Sequence, residues 1–449
     1  DGEKSGNRFL DSLIKAGFKG KIYSISHTGE EISGLTSYPT VSSIPDVVDY
    51  VIISIPAQLT PDVLDDCARK KVKAVQIFTA GFREAGTLDG RQLEDEIVMR
   101  ARQGGFRIIG PNCIGVYNPA INMPYGPSGL IGEVGAVAVV SQSGGHAGKL
   151  VAGGIARGIH FSKVVSSGNG CDLEGTDYLE YFASDPKTEI IGAYLEGAGD
   201  GHRLFTLARE IACQKPLVIW KGGRTRAGAS AAASHTGALA SSDITWTTAL
   251  RQVGAVKAGS FEELTDTLLI FQQLGKFTGN SLAIISGLAD GGGGDSVAAA
   301  DACLSLGLEV PPFASSTKSL LESFIPSRGS ILHNPLDISQ AMSNPETIKR
   351  AVEHVAKDPG INLIMVIEYV DELTQFATWQ DAEAINDCFI ALRKQGKPIV
   401  MVLPPGLAED KRAQVERELA QARIPVFPSL ERAAKAIANI SWYYNFHSK

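Results

Sequence analysis

The stretch GAVAVVSQSGG, Gly135 to Gly145, decides the architecture. Its first six residues are small or β-branched and carry no polar side chain, the composition of a strand buried on both faces. Serine and glycine then take over, giving the chain the freedom to turn sharply from a strand into a helix lying across the sheet. A helix that starts there presents unpaired backbone N–H groups and a positive dipole end, so the segment is a candidate anion site.

The same rhythm extends in both directions. Val51 to Ile55, Ala74 to Phe78, Glu189 to Leu195 and Pro398 to Leu403 are short β-rich runs that alternate with helical periodicity, the pattern of parallel α/β sheets. A second strand with a glycine turn, Leu282 to Ser286 followed by DGGGGDS (Asp290 to Ser296), opens another helix. Gly and Pro cluster over Pro124 to Gly135 and Gly275 to Asn280, which divides the chain into 1–128, 129–276 and 277–449. The last two segments share an Asp-Pro pair (Asp185-Pro186, Asp358-Pro359) followed by an apolar strand ending in glutamate (Glu196, Glu368). The expected fold is therefore α/β: a Rossmann-like domain, then two related flavodoxin-like parallel-sheet domains. The Rossmann-like part opens on a helical pattern, Asn7 to Ala16, and a strand, Lys21 to Ser24, so its usual first strand and glycine loop are expected to be missing.

With 449 residues and 44% hydrophobic content the chain can bury several cores, which excludes disorder. Net charge is -7, without basic runs, so nucleic acid is not an expected partner. No apolar stretch approaches the ~18–20 residues of a membrane helix and no signal-peptide pattern is present, so a soluble, cytoplasmic protein is expected. The six cysteines are widely spaced and form no disulfide or metal framework, and no metal site is expected.

The densest chemical signal is KGGRTRAGASAAASHTGALASSD, Lys221 to Asp243, which follows the strand Pro216 to Trp220. Small residues let a backbone approach a ligand closely, and one imidazole, His235, stands among them. Neutral imidazole can attack phosphorus through one nitrogen while the other donates the hydrogen bond that fixes its tautomer. The residues equally allow a histidine that caps a helix. Glu196, at the carboxyl end of its strand, is placed either to orient His235 or to be a solvated strand-end carboxylate. ISIPA (Ile53 to Ala57), FTAGF (Phe78 to Phe82) and GPNCIG (Gly110 to Gly115) each follow an apolar strand and would line one sheet edge. Cys113 reads as a turn residue rather than a nucleophile, and Asp337 in NPLDIS as a cap.

FTAGF, GPNCIG, SQSGG, LEG (Leu195 to Gly197), KGGRT, SHTGALASSD and NPLDIS occur in the order typical of NDP-forming acyl-CoA synthetases. The chain resembles their α portion, akin to ADP-forming acetyl-CoA synthetase and more distantly to the succinyl-CoA synthetase α subunit. The resemblance implies CoA bound by the first domain near Ser54, Pro56, Thr79 and Asn112. It implies His235 as the phosphorylated nucleophile, with Glu196 as its orienting carboxylate. Ser143, Gly144 and Gly145 would hold phosphate at one helix start, with Gly292, Gly293 and Gly294 at another. It further implies ATP or ADP with Mg at the site of an ATP-grasp partner, a separate β subunit or fused segment. The small substrates would be a carboxylic acid and its acyl-CoA, and the assembly an oligomer.

Two departures stand out. DGGGGDS places Asp290 and Asp295 where relatives carry a neutral turn, which would weaken anion binding, and His27 and Thr28 replace a lysine expected to meet a CoA phosphate. The alternative from another class is a non-catalytic CoA- or acyl-CoA-binding regulatory module, against which His235 argues. A nicotinamide-dependent dehydrogenase lacks its glycine fingerprint here.

Overall fold

The computed structural model describes residues 5–230, 242–288, 292–339, 344–376 and 378–448. The chain forms two compact units, one of Asp1–Ile155 with Ile159–Leu264, the other of Ala156–Gly158 with Thr265–Lys449. No helix among the described residues is long and apolar enough to cross a membrane.

In the first unit, the helix Ser5–Ala16 precedes a parallel pair, β1 (Ser24–Ile25) and β2 (Ser37–Tyr38). A three-stranded parallel sheet follows, β3 (Tyr50–Ile53), β4 (Ala74–Ile77) and β5 (Arg107–Ile109), in that order. Its helices are punctuated as their sequences dictate. Pro61 opens Thr60–Lys70 and left-handed Lys71 ends it, while the Thr87 hydroxyl caps Leu88–Gly104 and left-handed Gly105 stops it. Val51, Ile53, Leu64, Val75, Ile77, Ile97 and Ile108 form the core.

A six-stranded sheet completes this unit, in the order β11-β10-β9-β7-β8-β6. The strands are β6 (Gly115–Tyr117), β7 (Val134–Ser141), β8 (Phe161–Ser166), β9 (Ile190–Leu195), β10 (Leu217–Lys221) and β11 (Val256–Ala258). All pairs are parallel except edge strand β6, which runs antiparallel to β8. GPNCIG thus ends on a strand of this sheet. The helix Gly144–Ala156 follows β7 as expected, and β7 has β8 on one side and β9 on the other.

The second unit repeats that order. Its sheet is β13-β14-β12-β15-β16-β17, again five parallel strands and one antiparallel edge. They are β12 (Leu282–Ser286), β13 (Ile331–Leu332), β14 (Leu336–Asp337), β15 (Leu363–Ile367), β16 (Ile399–Val402) and β17 (Val426–Phe427). Read from the outer strand, β17-β16-β15-β12-β14 matches β11-β10-β9-β7-β8, the flavodoxin-like arrangement foreseen for both segments. Within this unit, buried Asp266 accepts from Arg157 at 2.6 Å and from Arg432 at 2.6 and 2.8 Å, tying Ala156–Gly158 to the body.

Candidate functional site

In a parallel sheet, ligands gather outside the carboxyl ends of strands where the chain leaves in opposite directions from neighbouring strands. In the first unit that point lies between β7 and β9. Ser141, the last residue of β7, hydrogen-bonds through Oγ to Ser143 O at 2.7 Å, folding the turn back. Ser143 Oγ accepts from His146 N at 3.3 Å, and Gly144 O accepts from the Tyr125 hydroxyl at 2.7 Å. A Cβ on Gly144 would lie 3.0 Å from the Ile114 side chain, whereas one on Gly145 would meet only Ser143 Oγ, at 4.0 Å. Ser143, Gly144 and Gly145 therefore form the start of the helix, with Gly145 exposed.

Glu196 follows β9 directly and is 5% exposed, which excludes the solvated-carboxylate reading. Strand alternation sends Leu195, Ala193 and Ile191 into one core and turns Tyr194 and Glu196 to the opposite face. The Tyr194 hydroxyl donates to Glu196 Oε1 at 3.0 Å. Gln142 Oε1 accepts from the backbone N–H groups of Glu196 and, at 3.3 Å, of Gly197. Buried Lys221 donates from Nζ to Glu196 O at 2.9 Å and also to Gly222 O. Desolvation lowers the Lys221 ammonium, opposed by the charges of Glu196 and Asp243. Around Tyr194 stand His146, with ring centroids 4.8 Å apart, and Trp220, at 4.4 Å.

Tyr194, Gln142 and Lys221 were not singled out from the sequence. Two signals were available: Tyr194 lies one strand repeat before Glu196, and Gln142 and Lys221 lie inside the quoted SQSGG and KGG segments. His235 and Asp290 fall outside the described residues.

A cavity of about 810 Å³ opens beside this edge, lined by Gln142, Gly197, Asn169, Cys171, Glu94 and Arg83 among others. Its wall is fixed by Asn169 Nδ2 donating to buried Glu94 at 2.8 Å and by the Arg83–Glu94 ion pair at 3.1 Å. Burial raises the Glu94 carboxyl, against the hydrogen bond from Asn169 and the charge of Arg83. The expected CoA-contact residues meet at the carboxyl edge of β3, β4 and β5. Thr79 Oγ1 donates to Ile55 O at 2.5 Å and Asn112 N to Thr79 O at 3.0 Å, with Asn112 left-handed at φ 55°. Ser54 is half-buried and Pro56 exposed on the same edge. Asn112 Nδ2 reaches Asn169 Oδ1 at 3.5 Å, linking this edge to the cavity wall. Cys113 lies buried within 3.5 Å of the Ile77 and Ile109 carbonyls, and burial pushes its thiol up to about 12.

The helix start in the second unit differs. Gly292 caps Gly293–Ser305, and a Cβ there would lie 2.4 Å from Gly287 N, so only glycine fits. The Asp337 carboxylate would stand 3.6 Å from a Cβ on Gly293, and Asp295 in the first turn accepts from the Tyr369 hydroxyl at 3.2 Å. Gly294 has open space. Carboxylates thus already occupy the positive end of this dipole. Among the described residues, no group of three or more His, Cys, Asp or Glu side chains could hold a metal ion.

The sequence-expected likeness of Glu368 to Glu196 fails on register. β7 pairs Ser141 with Tyr194, and β12 pairs Ile285 with Val366, so the partner of Ser286 is Ile367. Tyr369, not Glu368, therefore matches Glu196. A one-residue offset sends Glu368 to the other face, on the side of Ile364 and Val366.

Comparison with known proteins supplies further findings. Residues 1–119 match a CoA binding domain and residues 134–271 a succinyl-CoA ligase like flavodoxin domain. An ADP-forming acetate–CoA ligase I α subunit from Pyrococcus furiosus is 34% identical over 99% of this chain and 94% of its own length. An ADP-forming acetate–CoA ligase I from Archaeoglobus fulgidus is 35% identical over 99% of this chain, which spans 62% of that relative's length. The dinucleotide-forming acetyl-coenzyme A synthetase 1 of Ca. Korarchaeum cryptofilum, solved in complex with phosphate and ADP, superposes with a TM-score of 0.87 at 30% identity. That match covers 100% of this chain and 94% of the solved one.

Proposed function

The chain belongs to the ADP-forming acyl-CoA synthetases as an α-type member, and from that membership we propose that it performs the CoA and phosphohistidine half of their reaction. The full reaction reversibly converts acyl-CoA, phosphate and NDP to a carboxylic acid, CoA and NTP. Phosphate oxygen attacks the thioester carbonyl and the CoA thiolate leaves, giving an acyl phosphate. A neutral His235 nitrogen then attacks phosphorus and the carboxylate departs, leaving the phosphoryl group on the imidazole. NDP accepts that group on an ATP-grasp partner, a separate subunit or fused segment, where Mg would offset the phosphate charge.

Glu196 carries the reading. It is a buried carboxylate at the strand crevice beside the Ser143–Gly145 helix start, suited to accept an imidazole N–H and stabilise the charge that grows on the ring. Ser143, Gly144 and Gly145 offer backbone donors to phosphoryl oxygens. Gly292, Gly293 and Gly294 are the weaker anion site because Asp337 and Asp295 repel a dianion there. We assign CoA to 1–128, through Ser54, Pro56, Thr79 and Asn112, the phosphohistidine chemistry to 129–276, and the second flavodoxin-like domain to 277–449. The convergence of Thr79 and Asn112 at one sheet edge fits a ligand lying across it.

The test is incubation with acetyl phosphate labelled on phosphorus, and with labelled ATP plus an ATP-grasp partner. Wild type should take acid-labile, base-stable label and His235→Ala none. A wild-type chain that binds CoA yet takes no label from either donor would instead be the regulatory module.

A further inference from the structure

We propose that Tyr194 is a positioning residue for Glu196, aiming the carboxylate that the enzyme reading above assigns to orient the phosphoryl acceptor; the inference rests on that reading. Among the described residues, three side chains hold Glu196. Gln142 fixes its backbone N–H and Lys221 its backbone carbonyl, which set where the residue sits. The Tyr194 hydroxyl, 3.0 Å from Oε1, sets where the side chain points.

Three observations show that the hydroxyl is built in. Tyr194 is 8% exposed, and its ring packs against Trp220 and His146, so the phenol has one direction in which to reach. Space for the oxygen is provided by Gly222, where a Cβ would lie 2.5 Å from Tyr194 Oη. Lys221, adjacent to that glycine, places a cation under the same loop, although desolvation weakens its hold on the proton. Burial pushes the phenol well above its ordinary value, with the Glu196 charge adding to it, so Tyr194 stays a donor at every working pH. A donor that never ionises, aimed at a carboxylate, selects one rotamer of it.

The test is Tyr194→Phe, which keeps the packed ring and removes only the oxygen. In the full chain, phosphohistidine formation from labelled acetyl phosphate should slow about 10- to 100-fold, the value of a hydrogen bond to a charged group. The loss should fall on the maximal labelling rate and leave the half-saturating acetyl phosphate concentration unchanged, because the hydroxyl aims Glu196 and does not touch the donor. A purely structural tyrosine would lower the unfolding midpoint without that split. Gly222→Ala, which displaces the hydroxyl without deleting it, should lower the maximal rate in the same way, and serves if Tyr194→Phe does not fold. An unchanged maximal rate in both variants would overturn the assignment of Tyr194. A wild-type chain that takes no label from acetyl phosphate, or from ATP with its ATP-grasp partner, would overturn the underlying enzyme reading instead.

Discussion

Replacing Glu368 with glutamine should stabilise the second unit, and by an amount that grows with pH. Glu368 is 2% exposed, and neither carboxylate oxygen has a hydrogen-bond partner among the described residues. Burial alone pushes its carboxyl from 4.5 up to about 8. The folded state therefore keeps its proton where the unfolded state has released it. Stability falls as pH rises from the unfolded value of 4.5 and levels off above the folded value of about 8. Each unit is worth ~1.4 kcal/mol, so the loss at pH 7 is about 3 kcal/mol and reaches about 5 kcal/mol above pH 8. Glutamine has nearly the same shape and carries no proton to lose, so the variant escapes this penalty. Urea unfolding of wild type and Glu368→Gln at pH 5, 6, 7 and 8 measures it. The two proteins should be within about 1 kcal/mol at pH 5 and diverge steadily above it. A difference that stays flat from pH 5 to pH 8 would refute the reasoning, since it would mean that Glu368 ionises in the folded chain as it does in water.

Asp185 should behave in the opposite sense. Burial favours its neutral form, but the hydrogen bonds from Lys163 and Thr188 and from the Lys187 N–H outweigh it and bring the carboxyl from 3.8 down to about 2. Its contribution, about 2 kcal/mol, is present above pH 4 and disappears as pH falls toward 2. Asp185→Asn should therefore lower the unfolding free energy at pH 7 by about that amount and by almost nothing at pH 2, which acid unfolding curves would read. Cys113, with its thiol pushed up to about 12, should resist iodoacetamide at pH 8 in the folded chain while exposed Cys213 reacts. Cys113→Ala should keep the phosphohistidine label, and loss of label with the fold intact would return the thiol to the chemistry.

The strands were legible because a doubly covered parallel strand has no choice but to be apolar along its length. Val134–Ser141, Ile190–Leu195 and Leu282–Ser286 lie where the sequence puts them, within a residue or two. β6 was missed: three residues, Gly115–Tyr117, directly follow the turn in GPNCIG, and their partner β8 lies far along the chain. An edge pairing of that kind leaves no local pattern to read.

By itself the sequence determined the α/β architecture, the glycine turn at Ser141–Gly145 and the family, because strand burial and close backbone approach constrain residue type locally. Tertiary structure decided which glutamate faces the crevice. Glu196 and Glu368 look alike in sequence, yet a one-residue difference in register sends one to the helix start and the other into an apolar face. It also decided that Glu196 is buried and held by Tyr194, Gln142 and Lys221, since Gln142, in the turn after β7, and Lys221, at the end of β10, are distant in the chain and meet Glu196 only when the sheet forms.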